Sequence, residues 1–263
     1  MYGIGTAFGS TVRGDIFMLR YCFAALVTSA LAAPAAAQVF AGPYIGGHVG
    51  YASGSTDVDA SLGGNWATEP PAFASAVESG LDAELDPNGL TYGIQVGFNA
   101  MAAPNFLLGI EASFTGMDAD DDDGEVFTVA PVEYAAANAI DVKSTFALKG
   151  RAGVTSGNTL FYGSLGWAWV RARYEAALIS DGGYLKAGSE SKTTNGWLIG
   201  AGIEHKFAPN ISGFLDYSYT DQGKVTVDSE YLPGSTFLSP PYTERYRHDL
   251  DLHQVKIGVN FSF

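Results

Sequence analysis

Residues 253–263 read HQVKIGVNFSF, and this stretch decides the fold because its apolar residues alternate without a break. Five apolar side chains share one face of the predicted strand: Val255, Ile257, Val259, Phe261 and Phe263. The residues between them are polar or small. An extended segment of about 10 residues with one apolar face can cross a bilayer as one strand of a β-barrel. The last strand of a soluble barrel or sandwich would show the same alternation. The rest of the chain must therefore distinguish a membrane barrel from a soluble one.

The other end of the chain carries a predicted export signal. Residues 18–37 read MLRYCFAALVTSALAAPAAA, which is one arginine, a short apolar run and then small residues. This order is typical of a secretory signal peptide, and the apolar run is too short for a helix that spans a bilayer. We therefore expect residues 1–37 to be a signal region, with the true start at Met18 and cleavage after Ala37. Residues 38–263 would then form one barrel domain.

Charge and cysteine content narrow the possible functions. The chain has 14 basic and 28 acidic residues, and loss of Arg13, Asp15 and Arg20 with the signal leaves 12 and 27, a net charge of −15. Phosphate backbones would repel such a chain, so we expect no nucleic-acid partner. The single cysteine, Cys22, lies in the signal, so the mature chain offers no thiol for catalysis or metal binding. We predict no cofactor and no metal.

Alternation with a period of two recurs eight times in the mature chain. The predicted strands are approximately residues 44–53, 90–99, 106–118, 142–155, 160–174, 195–207, 211–224 and 248–263. Three connections are short (100–105, 156–159 and 208–210), and four are long, acidic and rich in Pro and Gly (54–89, 119–141, 175–194 and 225–247). Outer-membrane barrels sort their connections in this way. The sequence thus predicts an all-β fold: an eight-stranded antiparallel transmembrane β-barrel with short periplasmic turns and four long extracellular loops.

The polar faces of the predicted strands point into the barrel. They carry six charged residues: Glu111, Lys149, Arg151, Glu204, Asp216 and Lys256. Eight strands enclose an interior that side chains can fill, and buried charges are costly unless they are paired. Three acids and three bases therefore predict a charge network that plugs the lumen. A narrow gated pore is the alternative.

Several of these segments resemble one family of membrane proteins. They are AGPYIGGHVGY (41–51), YGIQVGFN (92–99), LLGIEASFTG (107–116), VKSTFALKGRAGV (142–154), LFYGSLGWAW (160–169), GWLIGAGIEHKFAPNISGFLDYSYTDQG (196–223) and the final strand. In this order they are similar to the small outer-membrane β-barrels of alphaproteobacteria, a porin-like and opacity-like family related to the outer-membrane protein A transmembrane domain. The resemblance covers the mature chain except its long loops. It implies location in the bacterial outer membrane and a role in envelope integrity, and it implies that the apolar face ending at Phe263 is the signal that the barrel-assembly machinery reads.

Charged segments near the predicted loops suggest two further sites. The stretch DADDDDGE (118–125) offers hard oxygen ligands for a divalent cation, although its spacing differs from an EF-hand and a solvated loop is the alternative. Six basic residues near the outer strand ends could contact lipopolysaccharide phosphates: Lys143, Arg171, Arg173, Lys224, Arg245 and Arg247. Their alternative role is to neutralise nearby loop acids.

The histidines provide no metal-ligand spacing, and no Ser/His/Asp arrangement is visible. His248 with Tyr242 and Tyr246 is the one candidate for haemin. We therefore predict a non-enzymatic surface protein that contributes to envelope structure and contacts outer-membrane lipid and lipopolysaccharide. A narrow porin-like channel for small solutes, or a surface receptor or adhesin for haemin or a host molecule, remains the alternative, and the oligomeric state is left open.

Overall fold

The computed structural model describes residues 40–263 apart from residues 238 and 240. The predicted signal region, its start at Met18 and its cleavage after Ala37 lie outside the described residues and stay predictions. Among the residues described, no helix is both long and apolar enough to cross a bilayer.

Eight long antiparallel strands form a closed ring. The strands are β1 (Gly42–Gly64), β3 (Asn88–Ala103), β4 (Phe106–Val129), β5 (Val132–Ser156), β6 (Thr159–Ser180), β7 (Leu185–Ala208), β8 (Ile211–Asp228) and β10 (Tyr242–Ser262). Each pairs with its neighbour along the chain, and β10 pairs with β1 to close the ring. Two short strands join this sheet: β2 (Ala83–Leu85) on β1 and β9 (Glu230–Tyr231) on β7. On the side of the short turns every strand of the ring is paired with both neighbours, as strands in lipid require, because an unpaired edge would be costly there.

The two ends of the ring differ in their connections. At the short-turn end, two residues suffice to join neighbouring strands: Pro104–Asn105, Gly157–Asn158 and Pro209–Asn210. Gly157 has a φ of 58°, a left-handed conformation that favours glycine in tight turns. At the opposite end, β1 is followed by a 3-10 turn (Asn65–Thr68) and the helix α1 (Pro71–Ser79). The short turns lie where the sequence predicts them, and the longer connections are all at the other end.

The strands extend much further toward that end than the sequence analysis predicts. Residues 119–141, predicted as a loop, form the paired ends of β4 and β5, which are joined by Ala130 and Pro131 alone. Most of residues 175–194 likewise belongs to β6 and β7. The predicted loop bounds are therefore wrong at these two places. They are also wrong for loops 54–89 and 225–247, because β1 continues to Gly64 and β10 begins at Tyr242. The acidic and alanine-rich composition concealed an alternation in which Tyr134, Ala136 and Ile140 are buried inside the barrel.

A bulge in β5 changes the side of the barrel to which one residue points. The register between β5 and β6 shifts between Val142 and Ser144, so that Lys143 is the extra residue. Val142, which the alternation assigns to the lipid side together with Phe146, is instead completely buried inside the barrel. A β-bulge adds one residue to one strand and thereby turns the side chains that follow it.

Two regions can be distinguished along the strand direction. In the first, which we call the apolar band, outward side chains such as Ile94, Ile110 and Ile257 are large, apolar and exposed. We call the second region the extension; it comprises residues 52–89, 117–145, 170–196 and 220–252. Many of its outward side chains are polar or charged, as in Asp57 and Asp120. The extension lies on the side of the long connections. The apolar band has the pattern of a lipid-facing surface.

Candidate functional site: the filled interior of the barrel

The predicted lumen residues all face the inside of the apolar band. Glu111 lies on β4, Lys149 and Arg151 on β5, Glu204 on β7, and the remaining two on the strands nearest the chain end: Asp216 on β8 and Lys256 on β10. All six are buried. Because side chains alternate between the two faces of a strand, a residue that follows a lipid-facing position must point into the lumen. Two residues of β5, Lys149 and Arg151, therefore supply neighbouring cations.

Arg151 joins two carboxylates across the lumen. Its Nη1 donates to Glu111 Oε2 at 3.1 Å, and its Nη2 donates to Glu204 Oε2 at 2.9 Å. The same Nη1 donates to the hydroxyl of Tyr44 at 2.6 Å, and the guanidinium lies 3.9 Å from the centre of the Tyr162 ring. A planar guanidinium can satisfy several acceptors and stack on an aromatic ring at once, which suits arginine to the centre of this network.

Lys149 forms the second centre of the network. Its ammonium lies 3.1 Å from Glu111 Oε1 and 3.2 Å from both carboxylate oxygens of Asp216. Glu111 therefore bridges the two cations of β5. Asp216 also accepts a hydrogen bond from the Tyr162 hydroxyl at 2.9 Å. Buried charges are stable when each has an opposite charge and further hydrogen bonds, and Lys149, Glu111 and Asp216 meet that condition.

A polar chain extends the network toward β1 and β3, and the sequence analysis missed it. Glu204 Oε1 accepts from Ser212 at 2.6 Å and from Asn260 at 3.0 Å. Asn260 in turn accepts from Gln95 at 2.7 Å, and Gln95 lies 2.6 Å from His48 Nδ1. These residues occupy inward positions of predicted strands, so the alternation of side chains could have identified them. The sequence analysis missed them because it considered only charged residues.

Lys256 is the exception within the predicted set. Its side chain is buried, but among residues 40–263, leaving aside 238 and 240, it forms no ion pair with a carboxylate. It lines a small cavity together with His48, Glu111 and Asp216. The cavity has a volume of ≈ 10 Å³, about the space needed for one water molecule. The structure therefore brings five of the six predicted charges into direct contact and places the sixth beside them.

The short-turn end of the interior is closed by apolar side chains. Phe40, which precedes β1, is buried against Leu107, Leu160 and Tyr162. Lys206 Nζ lies 5.7 Å from the centre of the Phe40 ring. This cluster covers the charge network from the side of the short turns.

The interior of the extension is apolar, in contrast to the lumen of the band. A core of buried aliphatic and aromatic residues fills it, including Ile140, Leu178, Leu250 and Leu252. The segment after β1 covers this core, because Val77 of α1 and Trp66 of the 3-10 turn are buried against it. The sequence analysis described these regions only as long acidic connections and did not predict this core.

One buried ion pair fixes the cover of the extension. Lys186 Nζ lies 2.7 Å from Glu244 Oε2, and both side chains are almost completely buried. Glu244 also accepts hydrogen bonds from Trp66 Nε1 at 2.7 Å, from Ser229 at 2.6 Å and from the hydroxyl of Tyr184. Burial opposes the ionisation of Glu244, but these donors outweigh burial and hold the pKa of its carboxyl below the ordinary value. The pair thus ties β7 and β10 to the segment that covers the core.

The proposed haemin residues are not a surface group. His248 and Tyr246 point into the extension and are buried, and the His248 ring lies 4.9 Å from the Tyr174 ring. Neither ring nitrogen of His248 has a hydrogen-bond partner among the residues described. Burial lowers the pKa of His248 to about 4. The haemin site is therefore wrong, because a ligand outside the barrel cannot reach these side chains.

The acidic stretch 118–125 lies within strand β4 and not in a loop. Its carboxylates are spread along an extended backbone, with Asp118 and Asp120 exposed on the outer face. In the described part of the chain, no group of three or more His, Cys, Asp or Glu side chains is arranged to hold a metal ion. The divalent-cation site suggested by this stretch is thus unsupported, and the reason is geometric: a strand separates carboxylates that a loop could converge.

The six basic residues predicted to contact lipopolysaccharide lie on the outer surface of the extension at different heights. Five have acidic partners on the surface: Lys143 with Asp141, Arg173 with Glu175, Lys224 with Asp249, Arg245 with Asp228, and Arg247 with Asp59. Arg171 forms no ion pair among the residues that the structure describes. Arg171 follows the band residue Trp169 by two positions, whereas Arg247 precedes Val255 by eight. They do not form one ring, and contact with phosphate stays a prediction.

The final strand presents its apolar face to the outside, as the alternation predicts. Val255, Ile257, Val259, Phe261 and Phe263 are between 44% and 61% exposed. Their role as an assembly signal stays a prediction. A closed antiparallel ring with this apolar outer surface and a filled interior defines a transmembrane β-barrel.

Comparison with known proteins identifies the family. A model described as outer membrane protein beta-barrel domain matches residues 23–263, and the chain belongs to this family. The 31 kDa outer-membrane immunogenic protein of Brucella melitensis is 28% identical over 245 residues, which cover 90% of this chain and 91% of that protein. The 25 kDa outer-membrane immunogenic protein of Brucella abortus is 35% identical over 74 residues, which cover 28% of this chain and 29% of that protein. The predicted resemblance to small barrels of alphaproteobacteria is confirmed.

Two solved structures of outer-membrane proteins align with most of this chain at low sequence identity. The outer membrane protease OmpT from Escherichia coli aligns with a TM-score of 0.47 and 9% identity over 84% of this chain and 97% of its own. The outer membrane protein OprG from Pseudomonas aeruginosa aligns with a TM-score of 0.43 and 13% identity over 85% and 97%. The family and the Brucella relatives place the protein in the outer membrane of a Gram-negative envelope. The short turns then face the periplasm and the extension faces outward.

Proposed function

We propose that this outer-membrane barrel is a non-enzymatic surface protein that contributes to envelope structure and conducts no solute at rest. The observation that carries the proposal is the filled lumen. The cavity that Arg151, Glu111 and Lys149 line has a volume of ≈ 10 Å³. A solute larger than one water molecule would have to displace ion-paired side chains, and displacement of paired charges in a buried site is costly.

The remaining levels of the barrel support the same proposal. Phe40 and its apolar neighbours cover the network from the periplasmic side. On the outer side, the apolar core of the extension and its cover, tied by Glu244 and Lys186, occupy the interior. A channel would need a continuous polar path through both. A barrel with a filled interior is instead suited to a structural element that is anchored in the membrane and rises above it.

Conductance tests this proposal directly. The protein purified from outer membranes is inserted into planar bilayers, and a general porin from the same membranes serves as the positive control. We expect no discrete conductance steps from the wild-type protein while the porin conducts. Reproducible single-channel steps would overturn the proposal and support a narrow passive channel.

A deletion strain tests the structural role itself. Loss of the protein should increase the sensitivity of the cells to detergent, and expression of the wild-type chain should restore resistance. Unchanged detergent sensitivity would contradict a contribution to envelope structure. Loss of binding to a soluble or host molecule, with intact resistance, would instead support a receptor or adhesin.

A further inference from the structure

Three basic side chains converge on the outer surface of β5 and β6. Arg171 and Arg173 occupy successive outward positions of β6, and the ladder pairs Arg171 with Ser144 and Arg173 with Asp141 of β5. Lys143, the extra residue of the β5 bulge, lies between these two rungs. All three side chains are exposed. The bulge adds a cation to a surface where regular alternation would have placed only two.

The height of this cluster is fixed by the aromatic residues beneath it. Trp169 precedes Arg171 by two positions on the same face, and its ring lies 5.5 Å from that of Phe146. Trp167 is the next outward residue below, and its Nε1 donates to Asn195 at 3.1 Å. Aromatic girdles of outer-membrane barrels mark the boundary between hydrocarbon and headgroups. Arg171 and Lys143 therefore lie directly above the hydrocarbon, at the level of lipid headgroups.

Other sectors carry the opposite charge at this level. The first charged outward residues above the band are Asp118 on β4, Asp221 on β8 and Asp251 on β10. An anionic headgroup is repelled by these carboxylates and attracted by the cations of β5 and β6. Arg171 has an unengaged guanidinium in the described structure. The pairs Arg173–Glu175 and Lys143–Asp141 are exposed, with half or more of each basic side chain accessible, so a phosphate can compete for them.

We propose that Lys143, Arg171 and Arg173 form a binding site for the phosphates of lipopolysaccharide in the outer leaflet. Guanidinium groups bind phosphate through two parallel hydrogen bonds, and the lysine adds a compact third charge. The site engages one sector of the barrel, so it orients the protein relative to its lipid neighbours. It is independent of conductance and goes beyond the proposed structural role. Lys224 on β8 and Arg245 and Arg247 on β10 lie outside the site, because they are on other strands than β5 and β6.

Titration with lipopolysaccharide tests the site. The wild-type protein in detergent micelles is titrated with purified lipopolysaccharide, and Kd is compared with that of R171Q/R173Q. We expect the double variant to bind about tenfold more weakly or worse, since two charge-assisted contacts are lost. K143Q alone should weaken binding by a smaller factor. The matched control is R245Q/R247Q, which removes two exposed arginines of the extension and should leave Kd within about twofold.

Two further titrations test whether the protein binds the phosphate groups and whether those phosphates belong to lipopolysaccharide. Enzymatically dephosphorylated lipopolysaccharide should bind as weakly to the wild-type protein as intact lipopolysaccharide binds to R171Q/R173Q. Phosphatidylglycerol in the same micelles should bind much more weakly than lipopolysaccharide. Equal Kd values for wild type and R171Q/R173Q, equal losses in both double variants, or equally tight binding of phosphatidylglycerol would each overturn the proposal. Heat-modifiable gel migration shows that each variant is folded, and R171Q alone replaces the double variant if that one fails to fold.

Discussion

The apolar band and the extension use the same strands with opposite polarity. In β10, Ile257 and Val259 face lipid while Lys256 and Asn260 fill the lumen; a few residues earlier, Arg247 faces water while Leu250 lies in an apolar interior. In β10 the alternation continues without a break, while the surroundings outside the barrel change from lipid to water. A strand in lipid presents apolar side chains outward, and a strand in water presents polar ones. The comparison shows that one barrel can contain a polar plug and an apolar core in series.

The largest expected effect comes from breaking the polar plug. Arg151→Met removes the cation that joins Glu111 and Glu204 and leaves both carboxylates buried with fewer partners. Breaking a buried pair costs about 3–5 kcal/mol in soluble proteins. The variant should unfold at clearly lower urea concentration than the wild type in lipid vesicles. Arg247→Met, which removes an exposed pair with Asp59, is the control and should cost about 1 kcal/mol or less. Equal unfolding midpoints for the two variants would contradict the inferred contrast.

A charged side chain introduced on the outer surface should destabilise the apolar band much more than the extension. Val259 is 55% exposed in the middle of the apolar band, and Val259→Arg should destabilise the inserted barrel by about 2–4 kcal/mol. Ser55, an outward residue of the extension on β1, is the matched position in water. Ser55→Arg should change the free energy of unfolding by less than about 0.5 kcal/mol. Unfolding in urea measures both, and a large effect of Ser55→Arg would place that part of the extension in the bilayer.

Acid should weaken the extension through its buried histidine, His248. Burial lowers the pKa of His248 to about 4 from an ordinary 6.5, so its neutral form is favoured in the folded state. Stability from this group is complete above pH 6.5 and is lost as the pH falls toward 4, by up to about 3 kcal/mol at 1.36 kcal/mol per unit. Fluorescence of the buried Trp66 is one readout, provided that the three lipid-facing tryptophans are replaced. His248→Phe should remove the pH dependence over this range.

His253→Phe provides the control for that experiment. His253 is exposed and lies 2.8 Å from the hydroxyl of Tyr217, outside the barrel. Its replacement should leave the loss of stability between pH 6.5 and 4 unchanged. If His248→Phe kept the full pH dependence and His253→Phe removed it, the buried histidine would not be the acid-sensitive group.

The smallest expected effect tests the assembly face. Phe263 is 60% exposed at the periplasmic end of the band, and Phe263→Tyr keeps an aromatic ring at this position. If the aromatic end of the strand is the feature that the assembly machinery reads, folded protein in the membrane should stay within about twofold of wild type, because the ring is retained. Phe263→Asp should instead reduce folded protein, as seen by heat-modifiable migration in gels. Equal amounts for both variants would contradict a role of the ring in assembly.

Alternation was sufficient to predict the eight strands and the faces of most of their residues. It placed Glu111, Lys149, Arg151, Glu204, Asp216 and Lys256 inside, because each is adjacent to a lipid-facing apolar residue. It failed at Val142, where one extra residue in β5 reverses the facing of everything before it, and such a bulge leaves no reliable mark in a single sequence. The sequence analysis also failed where it gave more weight to composition than to alternation. The acids of 118–125 and the alanines of 135–139 belong to paired strands.

The network beyond the charged residues was out of reach for a different reason. Register between strands decides which side chains meet, and a shift of a single residue would separate Asn260 from Glu204. The Glu244–Lys186 pair likewise depends on how the outer connections fold over the strands. Pattern gives the face of a residue but not its partner across the barrel.

The hydrogen-bonded ladder between β4 and β5 continues to Val129 and Val132, at the last residues before the outer turn. β5 has 25 residues, which at about 3.3 Å per residue and a tilt of roughly 40° corresponds to a height of roughly 60 Å. The hydrocarbon-facing zone accounts for about 25 Å of this. Paired strands therefore hold the turn at Ala130 and Pro131 well above the hydrocarbon, where an antibody or a phage would meet a strand-supported turn in place of a long loop.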